Sequence, residues 1–180
     1  MSQAIHDLRR EHDAILLALE ILAEINQRLA ADQLVELSDL QDFVAFLKEF
    51  ADKLHHGKEE GLLFPALVEA GVAMEGGPVG ELLWEHVHGR HSIAAMEAAL
   101  QPDFDATAFA AAAQGYADLL SAHIEKENGV LFPLAERVLP KDRRQALFAA
   151  FEAYDDKVIG AARLKQLYAL LGTWKARYLA

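Results

Sequence analysis

Two stretches of this 180-residue chain carry the same chemistry: HHGKEEGLLFP, beginning at His55, and HIEKENGVLFP, beginning at His123. Aligned without a gap they share His, Lys, Glu, Gly, Leu, Phe and Pro, seven of eleven positions. In each, a glutamate follows the histidine by four residues, giving His55/Glu59 and His123/Glu127. On a helix such a pair stands one turn apart on one face, so both side chains can reach one cation or two adjacent ones. Imidazole nitrogen and carboxylate oxygen without sulfur suit iron, manganese or zinc. The chain has no cysteine, which excludes disulfides, zinc–thiolate sites and thiol nucleophiles.

The helices that must carry these pairs are legible from apolar spacing and end signals. Ser2 caps a first helix running through Ile5, Leu8, Ile15, Leu19, Leu22 and Leu29. Ser38 with Gln41 forms a capping-box pattern before Phe43, Leu47, Phe50 and Leu54, and Pro65 is expected to end that second helix at Phe64. A short helical turn and the loop GVAMEGG follow. Pro78 opens a third helix through Leu82, Leu83, Ile93 and Leu100. Asp103 or Asp105 starts a fourth, with Phe109, Tyr116, Leu119 and Leu120, which runs towards Pro133. Two more helical stretches follow Pro140, at roughly 142–153 and 156–179, with Gly160 and Gly172 as weak points in the second.

No segment alternates with period two over a strand's length, and the connections are short. The fold expected is all-α: an up-down-up-down four-helix bundle over residues 1–140, with a C-terminal helical extension of the same domain over 141–180. Phe148, Phe151, Leu164, Leu167, Leu170 and Leu171 give that extension an apolar side, to be covered by the bundle or by a second subunit.

Two further histidines join the pattern. His12 falls in the apolar stripe between Leu8 and Ile15, and His86 lies in line with Leu82, Leu83 and Ile93. His123 and Glu127 share the stripe of Phe109, Tyr116 and Leu119. His55 sits at the edge of its stripe, and His56 points almost directly away from it. Alignment of the repeats pairs His55 with His123 and Glu59 with Glu127, leaving His56 and Glu60 as the expected surface pair and the alternative ligands.

Counting from helix ends, all four inner histidines fall about 12–15 Å below one end of an antiparallel bundle, at about 1.5 Å per residue. Even the dipeptides Glu11-His12 and Glu85-His86 correspond. One buried histidine on an apolar face is ordinarily a hydrogen-bonded structural residue. Four with two carboxylates at one level are costly to bury without a compensating charge, and a metal pair supplies it.

The set H…HxxxE…H…HxxxE, together with HHGKEEGLLFPALVEAG, GPVGELLWEHVHGR and HIEKENGVLFP, makes residues 5–135 resemble the hemerythrin-like, or HHE cation-binding, family. The resemblance implies a four-helix bundle holding a non-heme, oxo- or hydroxo-bridged pair of iron ions on His12, His55, Glu59, His86, His123 and Glu127, with zinc or manganese as alternatives. It also implies reactivity towards oxygen, nitric oxide or peroxide. Two positions depart from the oxygen-carrying members. Arg90 stands where they have a second histidine four residues after the helix-three ligand, and a four-residue step to Glu127 replaces their five-residue step to aspartate. Their coordination is therefore not carried over.

Arg90, sharing a face with His86, is a candidate to orient a carboxylate or hold an anion. Tyr116, two turns before His123, is a candidate hydrogen-bond donor to the site. His6, His88 and His91 are expected on the surface.

The functional expectation is a di-iron protein that senses, stores or buffers a small ligand. The alternatives are a di-iron enzyme consuming peroxide or nitric oxide, with no catalytic residue assigned beyond the ligands, and a metal-free helical adaptor. The formal charge of −11 argues against nucleic acid and anionic membrane as partners, since both need a basic surface. The charged N-terminus and the lack of a long apolar run point to a cytoplasmic protein, monomer or homodimer.

Overall fold

A computed structural model describes residues 1–180 as six helical rods with no strand. The first rod is α1, Gln3–Ala30, with Ser2 Oγ accepting from Ile5 N at its start. The second begins as α2, Leu37–Phe46, passes through two π-helical segments, π1 (Leu47–His56) and π2 (Glu59–Leu63), and ends as α3, Phe64–Glu69. The third is α4, Pro78–Ala99, and the fourth runs from α5, Ala106–Lys126, through π3, Glu127–Leu131, into α6, Phe132–Val138. The last two are α7, Lys141–Val158, and α8, Ala161–Tyr178.

The first four rods alternate in direction. Asn26 near the end of α1 donates to Ala110 O near the start of α5, while Ser2 N at the other end donates to Glu136 in α6. Lys48 near the start of rod two pairs with Glu97 near the end of α4, and Glu85 early in α4 pairs with His123 late in α5. This is the up-down-up-down bundle that the apolar spacing and short connections predict.

Three sequence signals resolve differently. No side chain caps the second rod: Glu36 is its N-cap, and Ser38 lies inside the helix. The Leu-Phe-Pro prolines do not stop their helices, because π2 and π3 precede them. Over these turns the hydrogen bond shifts to i→i+5, as in Phe64 N to Glu59 O and Phe132 N to Glu127 O, and the rod continues past the proline into α3 and α6. The two C-terminal helices part at Gly160, whose φ of 77° falls in the left-handed region that glycine enters at no steric cost.

The apolar interior is divided in two. The larger cluster holds Ile15, Leu22, Phe43, Phe50, Phe109 and neighbours, and the smaller holds Ile5, Leu8, Leu63, Phe64, Leu131, Phe132 and neighbours. His12 lies between Leu8 of one and Ile15 of the other, so the polar layer that separates them is the level at which the sequence places its histidines. The C-terminal helices cover this bundle: α7 adds Leu147 and Phe151 to the smaller cluster, and α8 adds Leu167, Leu171 and Trp174 to the larger. Phe148, Leu164 and Leu170 pack partly buried against the same clusters. No helix is long and apolar enough to cross a membrane.

At its far end α8 is pinned to α2 by Asp39, which accepts from Tyr178 Oη at 2.6 Å and from Arg177. Asp39→Ala leaves the buried Tyr178 hydroxyl without its acceptor and is expected to cost about 1–2 kcal/mol of stability, measured as a lower urea midpoint at unchanged slope.

Candidate metal centre

Seven side chains from four rods meet in the polar layer. His12 comes from α1, His55 and His56 from π1, Glu59 from the start of π2, His86 from α4, His123 from α5 and Glu127 from the start of π3. All seven are buried, His12, Glu59 and Glu127 completely. Their donor atoms form two groups: His12, His55, Glu59 and Glu127, and His56, Glu59, His86 and His123. Within each group the atoms lie within 4.8 Å of one another. That is close to the span across an ion bound at about 2.0–2.2 Å by imidazole and carboxylate. Glu59 belongs to both groups.

The six residues of the doubled pattern are thus brought together. His56 and Glu60 depart from expectation. His56 is 2% exposed, stacked on His86 with ring centroids 3.8 Å apart, and faces the second group rather than solvent. The π-helical backbone of Leu47–His56 is the reason: each residue there advances through a smaller angle than in an α-helix, so two consecutive histidines both turn inward. Glu60 is half-buried and accepts from His86 Nδ1 at 2.8 Å. It is also tied to Arg90, whose Nε donates to Asp52 at 2.7 Å. Arg90 is thus paired with the carboxylate that accepts from His86 Nδ1. Tyr116 is fully buried in the larger apolar cluster and its hydroxyl has no hydrogen-bond partner. Burial, with Asp52 adding to it, raises its pKa and keeps the phenol protonated. His6 and His91 are exposed, and His88 is half-buried with Nδ1 against Trp84 O.

Each of the four histidines in the repeat is held from outside by an oxygen at Nδ1. The partners are Asn128 for His12 at 3.2 Å, Glu11 for His55 at 2.9 Å, Glu60 for His86 at 2.8 Å and Glu85 for His123 at 2.9 Å. Donation from Nδ1–H selects the tautomer whose Nε2 lone pair points inward, the arrangement that readies imidazole for a metal. Glu11 and Glu85 are the residues preceding His12 and His86. They serve the histidine of the neighbouring rod, so the matching Glu-His dipeptides hold two more site residues than the sequence pattern reveals.

Inside the ring of histidines the polar atoms oppose one another. Nε2 of His86 and Nε2 of His123 face each other at 3.2 Å. Nε2 of His12 lies 3.0 Å from the Glu127 carboxylate. His55 Nε2, both nitrogens of His56, both oxygens of Glu59 and Oε1 of Glu127 are buried without a hydrogen-bond partner. Lone pairs and carboxylate oxygens buried without partners in an apolar interior are costly unless a cation lies among them. The donor set and its unsatisfied atoms fit two cations.

The electrostatics agree. Burial, reinforced by neighbouring imidazoles, holds His55 and His56 well below the usual histidine range, so both present lone pairs. Burial also lowers His86. Burial and then the nearby Glu127 push Glu59 well above the carboxylate range. Against burial, His123 and His12 hold Glu127 well below it. His123 is raised, since Glu127 and Glu85 outweigh burial and draw positive charge to this point.

The fold and this layer define a four-helix bundle with an internal histidine–carboxylate cation site. The pattern of the hemerythrin HHE cation binding domain matches residues 3–135, and the chain belongs to that family. Uncharacterized proteins of Mycobacterium bovis and of Mycobacterium tuberculosis, strains CDC 1551 and H37Rv, are each 30% identical to it over 166 residues. The alignment covers 88% of this chain and 64% of each relative, so the chain spans just under two thirds of their length. No solved structure matches the chain.

Proposed function

We propose that this protein holds a pair of non-heme iron ions in the polar layer and uses them to bind or react with a small ligand such as oxygen, nitric oxide or peroxide, as a sensor or store. The observation that carries this reading is the set of inward Nε2 lone pairs and unpartnered carboxylate oxygens, with His12, His55, His86 and His123 each fixed from outside by an acceptor at Nδ1. His12 and His55 would hold one ion and His56, His86 and His123 the other, with Glu59 and Glu127 supplying the carboxylates.

Iron, when bound, supplies a change of oxidation state and coordination positions open to a small molecule. The chain's own residues do the rest. The acceptors at Nδ1 fix the imidazole planes and make Nε2 more basic. The apolar clusters above and below exclude bulk water.

The test has two parts. Protein purified and reconstituted under anaerobic conditions is expected to hold about two iron ions per chain, the number its two donor groups allow. Mixing the reduced form with oxygen, nitric oxide or peroxide in a stopped flow is then expected to give a stable optical change. Sustained consumption over many turnovers would assign the site to an enzyme instead, and iron content near zero would overturn the reading.

A further inference from the structure

The doubled site has an outer layer that is doubled as well, and its two copies differ in one respect. Lys58 and Lys126 occupy equivalent places in the repeats, each immediately before the glutamate of its pair. Lys126 Nζ donates to Glu85, and Glu85 accepts from His123 Nδ1 at 2.9 Å. Lys58 Nζ donates to Glu11, and Glu11 accepts from His55 Nδ1 at 2.9 Å. The chain lysine, glutamate, histidine is therefore built twice with the same chemistry.

Lys126 is an open surface residue, with 41% of its side chain exposed, whereas that of Lys58 is 0% exposed. What closes over Lys58 is α7. Asp155 reaches its ammonium at 3.3 Å, Asp7 of α1 at 3.1 Å, and the Phe151 ring lies 5.4 Å from it. The approach of α7 is built into rod two. Gly57, beside Lys58, lacks the Cβ that would lie 2.1 Å from Tyr154 Oη, and that hydroxyl donates to Lys53 O at 3.0 Å. The cluster of Asp7, Glu11 and Asp155 has the look of a third cation site, and the cation among these three is the Lys58 ammonium.

Burial costs the Lys58 ammonium, but Glu11, Asp155 and Asp7 outweigh it and raise its pKa. Burial lifts Glu11 to about 8 against the pull of Lys58. Both Glu11 oxygens nevertheless accept, one from Nζ and one from Nδ1, which is the geometry of an ammonium–carboxylate pair.

We propose that α7 is a positioning element of the cation site, acting through Asp155, Lys58, Glu11 and Nδ1 of His55, so that the C-terminal extension sets the ion affinity of the His12–His55 half independently of the other half. It rests on the reading of His55 as a ligand. The physical basis is that Asp155 holds the ammonium in place, the ammonium holds the Glu11 carboxylate, and that carboxylate fixes the plane and basicity of the imidazole. Outer partners of this kind change metal affinity without touching the metal. The solvated Lys126 pair is screened and contributes little.

Zinc(II) is the probe, because it is diamagnetic and suits the same donors. In Asp155→Asn the dissociation constant of one zinc is expected to rise about tenfold, the size seen for outer partners of metal-bound histidine, while the second zinc is unchanged. In 15N-histidine spectra the His55 Nδ1–H resonance is expected to move upfield with the His123 resonance unmoved. Asp155→Glu should restore both, and Glu152→Gln, on the exposed side of α7, should leave both zinc affinities as they are. Two tightly bound zinc ions and an unmoved His55 resonance in Asp155→Asn would overturn the proposal while leaving the ligand reading intact. A wild-type chain that takes up no zinc would overturn the ligand reading and the proposal with it.

Discussion

Stripping the protein with a chelator is expected to lower its melting temperature by roughly 10–20 °C, and adding back iron(II) or zinc(II) to restore it. The magnitude follows from the buried polar atoms of the centre. A buried group left without a partner costs about 1–3 kcal/mol, and His55 Nε2, the His56 nitrogens, the Glu59 oxygens and Glu127 Oε1 are six such atoms on four side chains. Protons taken up by the carboxylates offset part of this, leaving about 5 kcal/mol. For a chain of this size each kcal/mol moves the midpoint by about 2–4 °C. Calorimetry at fixed ionic strength, with and without chelator, measures the shift. Equal midpoints for the two samples would mean that the layer is self-sufficient, its histidines and carboxylates hydrogen-bonded to each other and holding nothing.

Glu59→Ala is expected to abolish binding of both ions at once, taking metal content from about two per chain to near zero, because Glu59 is the one side chain in both donor groups. Its melting temperature should fall to that of the chelated wild type, and chelator should lower it no further. That lack of additivity is the mark of two changes acting through one set of contacts. Glu60→Ala is the discriminating comparison, since Glu60 touches only Nδ1 of His86 and Arg90. It should weaken one ion by about 10–100-fold, as expected for an outer partner, and leave stoichiometry intact at saturating metal. Full metal content in Glu59→Ala would refute the shared position of this carboxylate.

His56 is where periodicity alone misleads. Counted at a helix's usual angle per residue it points away from the core, and the repeat reinforces that reading, because it pairs His55 rather than His56 with His123. The structure turns it inward through a π-helical stretch. Nothing in Leu47–His56 announces i→i+5 hydrogen bonding, which becomes favourable only once the neighbouring rods offer something for both histidines to meet. The prolines at 65 and 133 mislead in the opposite direction. They read as stops, yet the π turns before them let the rods continue.

The outer partners divide along the same line. Lys58 and Lys126 repeat visibly in the aligned segments, and Glu11 and Glu85 repeat in the Glu-His dipeptides, so their recurrence is legible. Their roles are not, because each glutamate serves a histidine on another rod. Asp155 lies in a stretch with no recognisable motif.

By itself the sequence determined the all-α bundle, the level at which His12, His55, His86 and His123 meet, and the two carboxylates that meet them. All of these follow from helical periodicity and from counting along a rod of fixed rise, which are local properties of the chain. Only the tertiary structure decided that His56 joins the site, that Glu60 braces His86 and that α7 seals the Lys58 half while the Lys126 half stays open. Those features depend on the rotation of one rod against another, which is set by side-chain packing between segments far apart in the chain and leaves no periodic trace in either.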